Sequence, residues 1–249
     1  MKRLKTFILI LLVAVVATAA MPFGATAAES TVAAAECGFS YGEHMNGKSV
    51  VFYGDSITAR YINEQTYEDN LGAHYTQILA AEYGFYFANY AISGATFTNT
   101  DKSVIKEINN SKSILACADY VSIMLGTNDY GFGQALGTKS SAPSETTVYG
   151  AIKYALDTIF DINPNVKVML ITPIDRFDGG YGMQKPNARG YTLADVVTAI
   201  KTVADMYGVS VADTTGLITE TNYNSLLQRD KLHVSSAGYA ALAQKIKQA

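Results

Sequence analysis

Five short apolar runs, at 49–53, 86–91, 119–125, 166–172 and 208–212, are separated by stretches whose apolar residues recur at helical spacing. This alternation constrains the chain more than any other feature. Strands that take turns with helices are joined by crossovers, and crossovers build a mainly parallel sheet, which makes the fold class α/β. Leu71, Tyr75, Ile78 and Leu79 follow a cap expected at Asp69 and stop at Gly84, and Val104, Ile105 and Ile108 follow a cap expected at Asp101. Ile152, Ala155, Leu156 and Ile159 fit i, i+3, i+4, i+7 before Asn163-Pro164. The pattern recurs in Leu193, Val196, Val197 and Ile200, and in Tyr239, Leu242, Ala243 and Ile246. With 249 residues, 49% of them hydrophobic, the chain can bury one α/β core, and no internal repeat or second domain is visible.

The N-terminus belongs to a different class of segment. Met1-Lys2-Arg3-Leu4-Lys5 is basic, Phe7 to Ala20 is apolar, and small residues such as Ala25-Thr26-Ala27 follow, the pattern of a secretory signal peptide over 1–27. An uncleaved anchor is the competing reading, but the apolar run is shorter than the ~20 residues that a spanning helix needs. Cleavage removes three basic residues and moves the formal charge from −3 to −6, leaving an acidic, secreted domain with no stable membrane insertion. Residues 28–46, rich in Ala, Ser and Gly, read as a flexible tether, so that the folded domain spans 47–249. Charged residues are 16% of the chain and its pI is about 5.6, which points away from a nucleic-acid partner. Cys37 and Cys117 can pair in an oxidising compartment or remain free. Neither has metal-ligand spacing, so no metal or other cofactor is implied.

The chemistry starts at Val50-Val51-Phe52-Tyr53-Gly54-Asp55-Ser56, a buried strand that runs into a turn. A serine there sits at the carboxyl edge of the sheet, where open α/β sheets bind ligands. On that stretch alone Ser56 is equally readable as a helix cap. Other stretches share the edge: Ser93-Gly94 after the second strand, Gly126-Thr127-Asn128-Asp129 after the third, and Asp230-Lys231-Leu232-His233 before the last helix. With strand order 2-1-3-4-5, Ser56, Gly94 and Asn128 become neighbours.

Acyl transfer needs a hydroxyl, a base, an acceptor that orients the base, and donors for the oxyanion. Of three histidines, His44 falls in the tether and His74 inside an expected amphipathic helix with a surface role. That leaves His233 as base, with Asp230 three residues before it as the acceptor. Ser56 N–H, Gly94 N–H and the Asn128 amide are candidate oxyanion donors. Simpler readings remain beside these: His233 as a helix-flanking residue, Gly94 as a turn glycine, Asn128 as a cap, and Asp55 and Asp129 as carboxylates that stabilise their own turns.

Gly54-Asp55-Ser56-Ile57, Gly94, Gly126-Thr127-Asn128-Asp129 and Asp230-Lys231-Leu232-His233 resemble, in order, the four blocks of the SGNH, or GDSL-type, hydrolases. The resemblance covers roughly 48–249. It implies a flavodoxin-like three-layer α/β/α fold, a catalytic triad of Ser56, Asp230 and His233, and an oxyanion hole of Ser56, Gly94 and Asn128. This chain departs in having Ile57 where many members have Leu, and Val-Ser after His233 where Pro-Asn is frequent, which leaves the start of the last helix open. An ordinary α/β-hydrolase elbow needs Gly-x-Ser-x-Gly, and residue 58 is Thr.

Two long connections, 130–149 and 173–190, follow strand ends and are expected to wall the site. They supply Tyr130, Phe132, Arg176, Phe177 and Tyr181, with Arg60 and Tyr61 nearer the serine; Tyr130, Phe132, Phe177 and Tyr181 are the expected substrate contacts. Aromatic faces among polar groups suit a sugar that bears a short acyl group, so the expected partner is an ester, with acylated polysaccharide foremost. A lipase or lysophospholipase and a non-catalytic carbohydrate-binding module are the alternatives.

Overall fold

The structure, a computed structural model, describes residues 37–59 and 72–249. The expected signal peptide, residues 28–36 of the tether, and Arg60, Tyr61, Asp69 and Leu71 lie outside the described residues.

Five parallel strands, β1 (Ser49–Gly54), β2 (Tyr86–Asn89), β3 (Tyr120–Met124), β4 (Lys167–Ile171) and β5 (Ser210–Ala212), form one sheet in the order β2-β1-β3-β4-β5. Each lies within or beside its expected run. The central strands read as unbroken apolar runs because both of their faces are covered. Their residues alternate between two cores. Val51, Tyr53, Val121, Ile123, Val168 and Leu170 face one; Val50, Phe52, Tyr120, Met124, Met169 and Ile171 face the other. The first core is closed by α3 (Val104–Asn110), α6 (Val148–Ile162) and α7 (Leu193–Tyr207), the second by α2 (Tyr75–Tyr83) and α9 (Ser236–Ile246), giving three layers. Four short helices, α1 (Ser56–Ala59), α4 (Lys112–Leu115), α5 (Thr127–Gly131) and α8 (Tyr223–Leu226), complete the α-helices among the described residues, and a 3-10 turn spans Glu43–Met45. β2 is the edge strand, and Tyr86 on it is 74% exposed.

Helix boundaries follow capping chemistry, and here some expectations change. Ser103, not Asp101, caps α3 by accepting Ile105 N–H. Thr192 and Asp195 form a capping box at α7. α9 starts after Ser235, whose hydroxyl accepts Gly238 N–H, so Val234-Ser235 begins the helix as well as any Pro-Asn. α2 is capped by His74, which is buried at 3% exposure, so the expected surface role is wrong. The tether is corrected too. Phe39, Tyr41 and Met45 are buried in the second core, and Val168 N–H donates to Cys37 O at 2.7 Å, so the described body begins by residue 37. Cys37 and Cys117 are free thiols.

Candidate active site

β1 delivers Ser56 to the sheet edge as the first residue of α1. The turn is held from several sides. Asp55 Oδ1 accepts Ile57 N–H at 3.0 Å, and Ile57 O accepts from His74 Nε2 at 2.8 Å and from Tyr239 Oη at 3.1 Å. His74 Nδ1 accepts Thr76 N–H, so its proton sits on Nε2 and the ring is a neutral strut behind the serine. Asn89 at the end of β2 donates to Thr58 O at 2.7 Å.

The sequence between β5 and α9 returns to this edge. Asp230 Oδ1 accepts the N–H groups of Leu232 and His233, both at 3.0 Å, and Oδ2 meets His233 Nδ1 at 2.6 Å. Lys231 has φ of 60°, the left-handed region, which lets the chain fold back over the carboxylate. His233 Nε2 lies 3.0 Å from Ser56 Oγ. Burial pushes the Asp230 carboxyl up, but the His233 ring and the two backbone N–H groups outweigh it and hold the pKa at about 2. Asp230 is therefore an anion across the neutral range, which fixes the His233 proton on Nδ1 and leaves Nε2 to accept from the serine.

The donors converge on the same edge. The turn after β2 is closed by Ala95 N–H to Ile92 O, with Gly94 at φ 84°, a conformation that favours glycine. The Asn128 amide, on α5 after β3, donates to Ala95 O at 2.9 Å, which orients it and leaves its second N–H. Among the described residues the N–H groups of Ser56 and Gly94 take no protein acceptor. Together these line a cleft of about 370 Å³ with Ser93, Asp178, Asp230, Leu232 and His233.

Ser56, Gly94, Asn128, Asp230 and His233 thus meet as expected from the sequence; the expected substrate walls do not meet there. Tyr130 is fully buried, its hydroxyl donating to Lys185 O at 2.8 Å, so it ties the two long loops together and cannot contact substrate. Phe132 projects outward at 60% exposure. Phe177 stacks on Tyr223 and Tyr181 lies under Arg176; both line a separate basin of about 410 Å³ with Met183 and Ile218. Asp178, which the sequence reading missed, lines the cleft instead. Asp129 is also more than a turn carboxylate: it accepts Phe97 N–H and Thr98 N–H, both at 3.0 Å, holding the strand-2 connection against α5.

Asp55 is fully buried. Burial pushes its carboxyl up, only partly countered by Ile57 N–H and by His233, to about 6, against 3.8 for the ordinary group. Folding therefore takes up protons between these values: the stabilising contribution is complete below 3.8 and is lost as pH rises through 6. Asp55→Asn keeps an acceptor for Ile57 and carries no charge. It is expected to be more stable than the wild type at pH 8, by about 2–3 kcal/mol, and to converge with it below about pH 4. Melting curves across that range check this; equal displacement at every pH contradicts it.

Ser56, His233 and Asp230 thus follow one another within hydrogen-bond reach in a cleft at the switch point of a parallel α/β sheet, where such sheets bind ligands. Residues 52–241 match the GDSL-like lipase/acylhydrolase family, and the chain belongs to it. That membership makes it an ester hydrolase. A solved Lactobacillus plantarum protein is 27% identical, over 82% of this chain and 97% of its own, with a TM-score of 0.69. A lipase/acylhydrolase from Enterococcus faecalis is 26% identical over 81% and 94%, with a TM-score of 0.56. An acetylxylan esterase from Geobacillus stearothermophilus, 22% identical over 86% and 95% with a TM-score of 0.55, shares the fold. No curated protein matches the chain.

Proposed function

We propose that the protein is an exported serine esterase that cleaves short-chain acyl esters, acetyl esters of carbohydrate foremost, through an acyl-enzyme on Ser56. In this reading His233 Nε2 takes the Ser56 proton as Oγ attacks the ester carbonyl, and Asp230 holds the imidazolium that forms. Ser56 N–H, Gly94 N–H and Asn128 Nδ2 receive the oxyanion. His233 then protonates the leaving alcohol, and water, deprotonated by the same ring, releases the acid. The observation that carries the reading is the 3.0 Å contact between Ser56 Oγ and His233 Nε2, continued at 2.6 Å to Asp230.

The cleft argues for a short acyl group. Leu232 is its sole aliphatic side chain among the described lining residues, so a long alkyl chain finds no wall on which to realise the ~0.8 kcal/mol that each buried CH₂ yields. An acetylated carbohydrate as substrate fits the acetylxylan esterase that shares this fold. A lipase reading has its own support in the adjoining basin, where Phe177, Tyr181, Met183 and Ile218 offer apolar area. Protein recovered from the culture medium is expected to lack residues 1–27 by intact mass and to lose at least tenfold in kcat/KM from p-nitrophenyl acetate to the octanoate, while deacetylating acetylated xylo-oligosaccharides. A preference for the octanoate overturns the short-acyl reading, and retention of residues 1–27 overturns the processed, exported form.

A further inference from the structure

Asp178 is the charged residue of the cleft that the hydrolytic reaction does not use. It shares the lining with Ser56, Gly94, Asn128 and His233, and its side chain is 23% exposed. Both of its oxygens are gripped: Arg176 Nε donates to Oδ1 at 2.6 Å and Nη2 to Oδ2 at 2.5 Å. Arg176 is itself buried, packs 4.6 Å above the Tyr181 ring, and spends Nη1 on Thr127 O at 3.2 Å, beside Asn128. A bidentate guanidinium fixes a carboxylate in plane and direction. It also compensates the charge, so the pair adds little net charge to the cleft.

A carboxylate offers about four lone-pair sites, and the arginine takes two. Asp178 lines a cleft whose other polar groups already have work. In the proposed reaction Ser56 N–H, Gly94 N–H and Asn128 serve the acyl carbonyl, and Asp230 is occupied by His233 and Leu232. Ser93 O accepts from Lys102 Nζ at 2.7 Å. Among the described lining groups Asp178 is thus the anionic acceptor left for substrate. An acceptor-only group asks for a donor, and in a neutral ester the donors are hydroxyls on the alcohol portion.

We infer that Asp178 is a specificity-determining residue that receives a hydroxyl of the leaving alcohol, selecting polyol and sugar esters over esters of plain alcohols. The inference rests on ester cleavage at Ser56 and names the alcohol side of its substrate. Because Arg176 also holds Thr127 O, a polyol seated on Asp178 bears on the segment that carries Asn128.

The test pairs two acetates of equal length that differ only in hydroxyls, 1-monoacetylglycerol and propyl acetate, with wild type, Asp178→Asn and Asp178→Ala. The wild type is expected to favour the glycerol ester in kcat/KM. Asp178→Ala should reduce that preference about tenfold to a hundredfold, the worth of a hydrogen bond to a charged acceptor, mostly through KM, with Asp178→Asn between the two. Any general loss from releasing Arg176 affects both esters and cancels in the ratio. An unchanged ratio, or no wild-type preference, overturns the role of Asp178 while leaving hydrolysis at Ser56 in place. Failure of the wild type on both esters, and on p-nitrophenyl acetate, instead removes the reaction itself.

Discussion

Ser56→Ala is expected to abolish ester turnover, lowering kcat by roughly 10⁴ to 10⁶, while melting within a few degrees of the wild type. The chemical argument is that the removed atom is the nucleophile, so no acyl-enzyme can form, and the rest of the site can only polarise the ester toward a water it does not position. The structural argument is that the hydroxyl supports little else. Its contact is with His233 Nε2, whereas the turn is held through Asp55, the Ile57 carbonyl and Asn89, all of which the variant keeps. Steady-state rates on p-nitrophenyl acetate beside a thermal melt separate the two effects. Retained turnover in a folded variant would falsify the nucleophile assignment; loss of both turnover and fold would show that the hydroxyl is structural.

The parts of this molecule that were legible in the sequence are those fixed by local pattern. β1, β3 and β4 are covered on both faces, so they had to be written as apolar runs, and the residues at their carboxyl ends had to meet once the strand order was right. The site was legible because its members hang directly on those ends: Ser56 after β1, Asn128 after β3, and Asp230 three residues from His233.

What was hidden depends on contacts between distant segments. Tyr130 stands two residues from Asn128 and looks like a wall, but the 173–190 loop covers it and takes its hydroxyl. Asp178 sits in an irregular loop with no periodicity, and its orientation comes from Arg176, anchored to Thr127, 49 residues away in sequence. His74 fits the periodicity of a helix interior; only its ring contacts, Nδ1 under Thr76 N–H and Nε2 on the carbonyl of Ile57, show why it starts the helix instead. The tether was the avoidable error. Phe39, Tyr41 and Met45 are spaced apolar residues that Gly, Ser and Ala around them obscured, and a composition argument averages over such anchors.

Asp230→Asn is the second large effect, and its size follows from a proton rather than from lost packing. Asparagine can keep its side-chain oxygen under the N–H groups of Leu232 and His233, so the loop, with Lys231 at positive φ, retains its shape. The amide nitrogen then faces His233 Nδ1 as a donor. Nδ1 must accept, the ring proton moves to Nε2, and the atom 3.0 Å from Ser56 Oγ can no longer take the serine proton. The expected cost is about 10⁴ in kcat, with KM for a small acetate nearly unchanged because the donors for the ester carbonyl are untouched. Asp230→Ala leaves both backbone N–H groups without their acceptor and should also lower the melting temperature, whereas Asp230→Asn should not. Stopped-flow acylation with p-nitrophenyl acetate, together with melts of both variants, distinguishes these outcomes. A loss of less than tenfold for Asp230→Asn would mean that something other than this carboxylate sets the tautomer of His233.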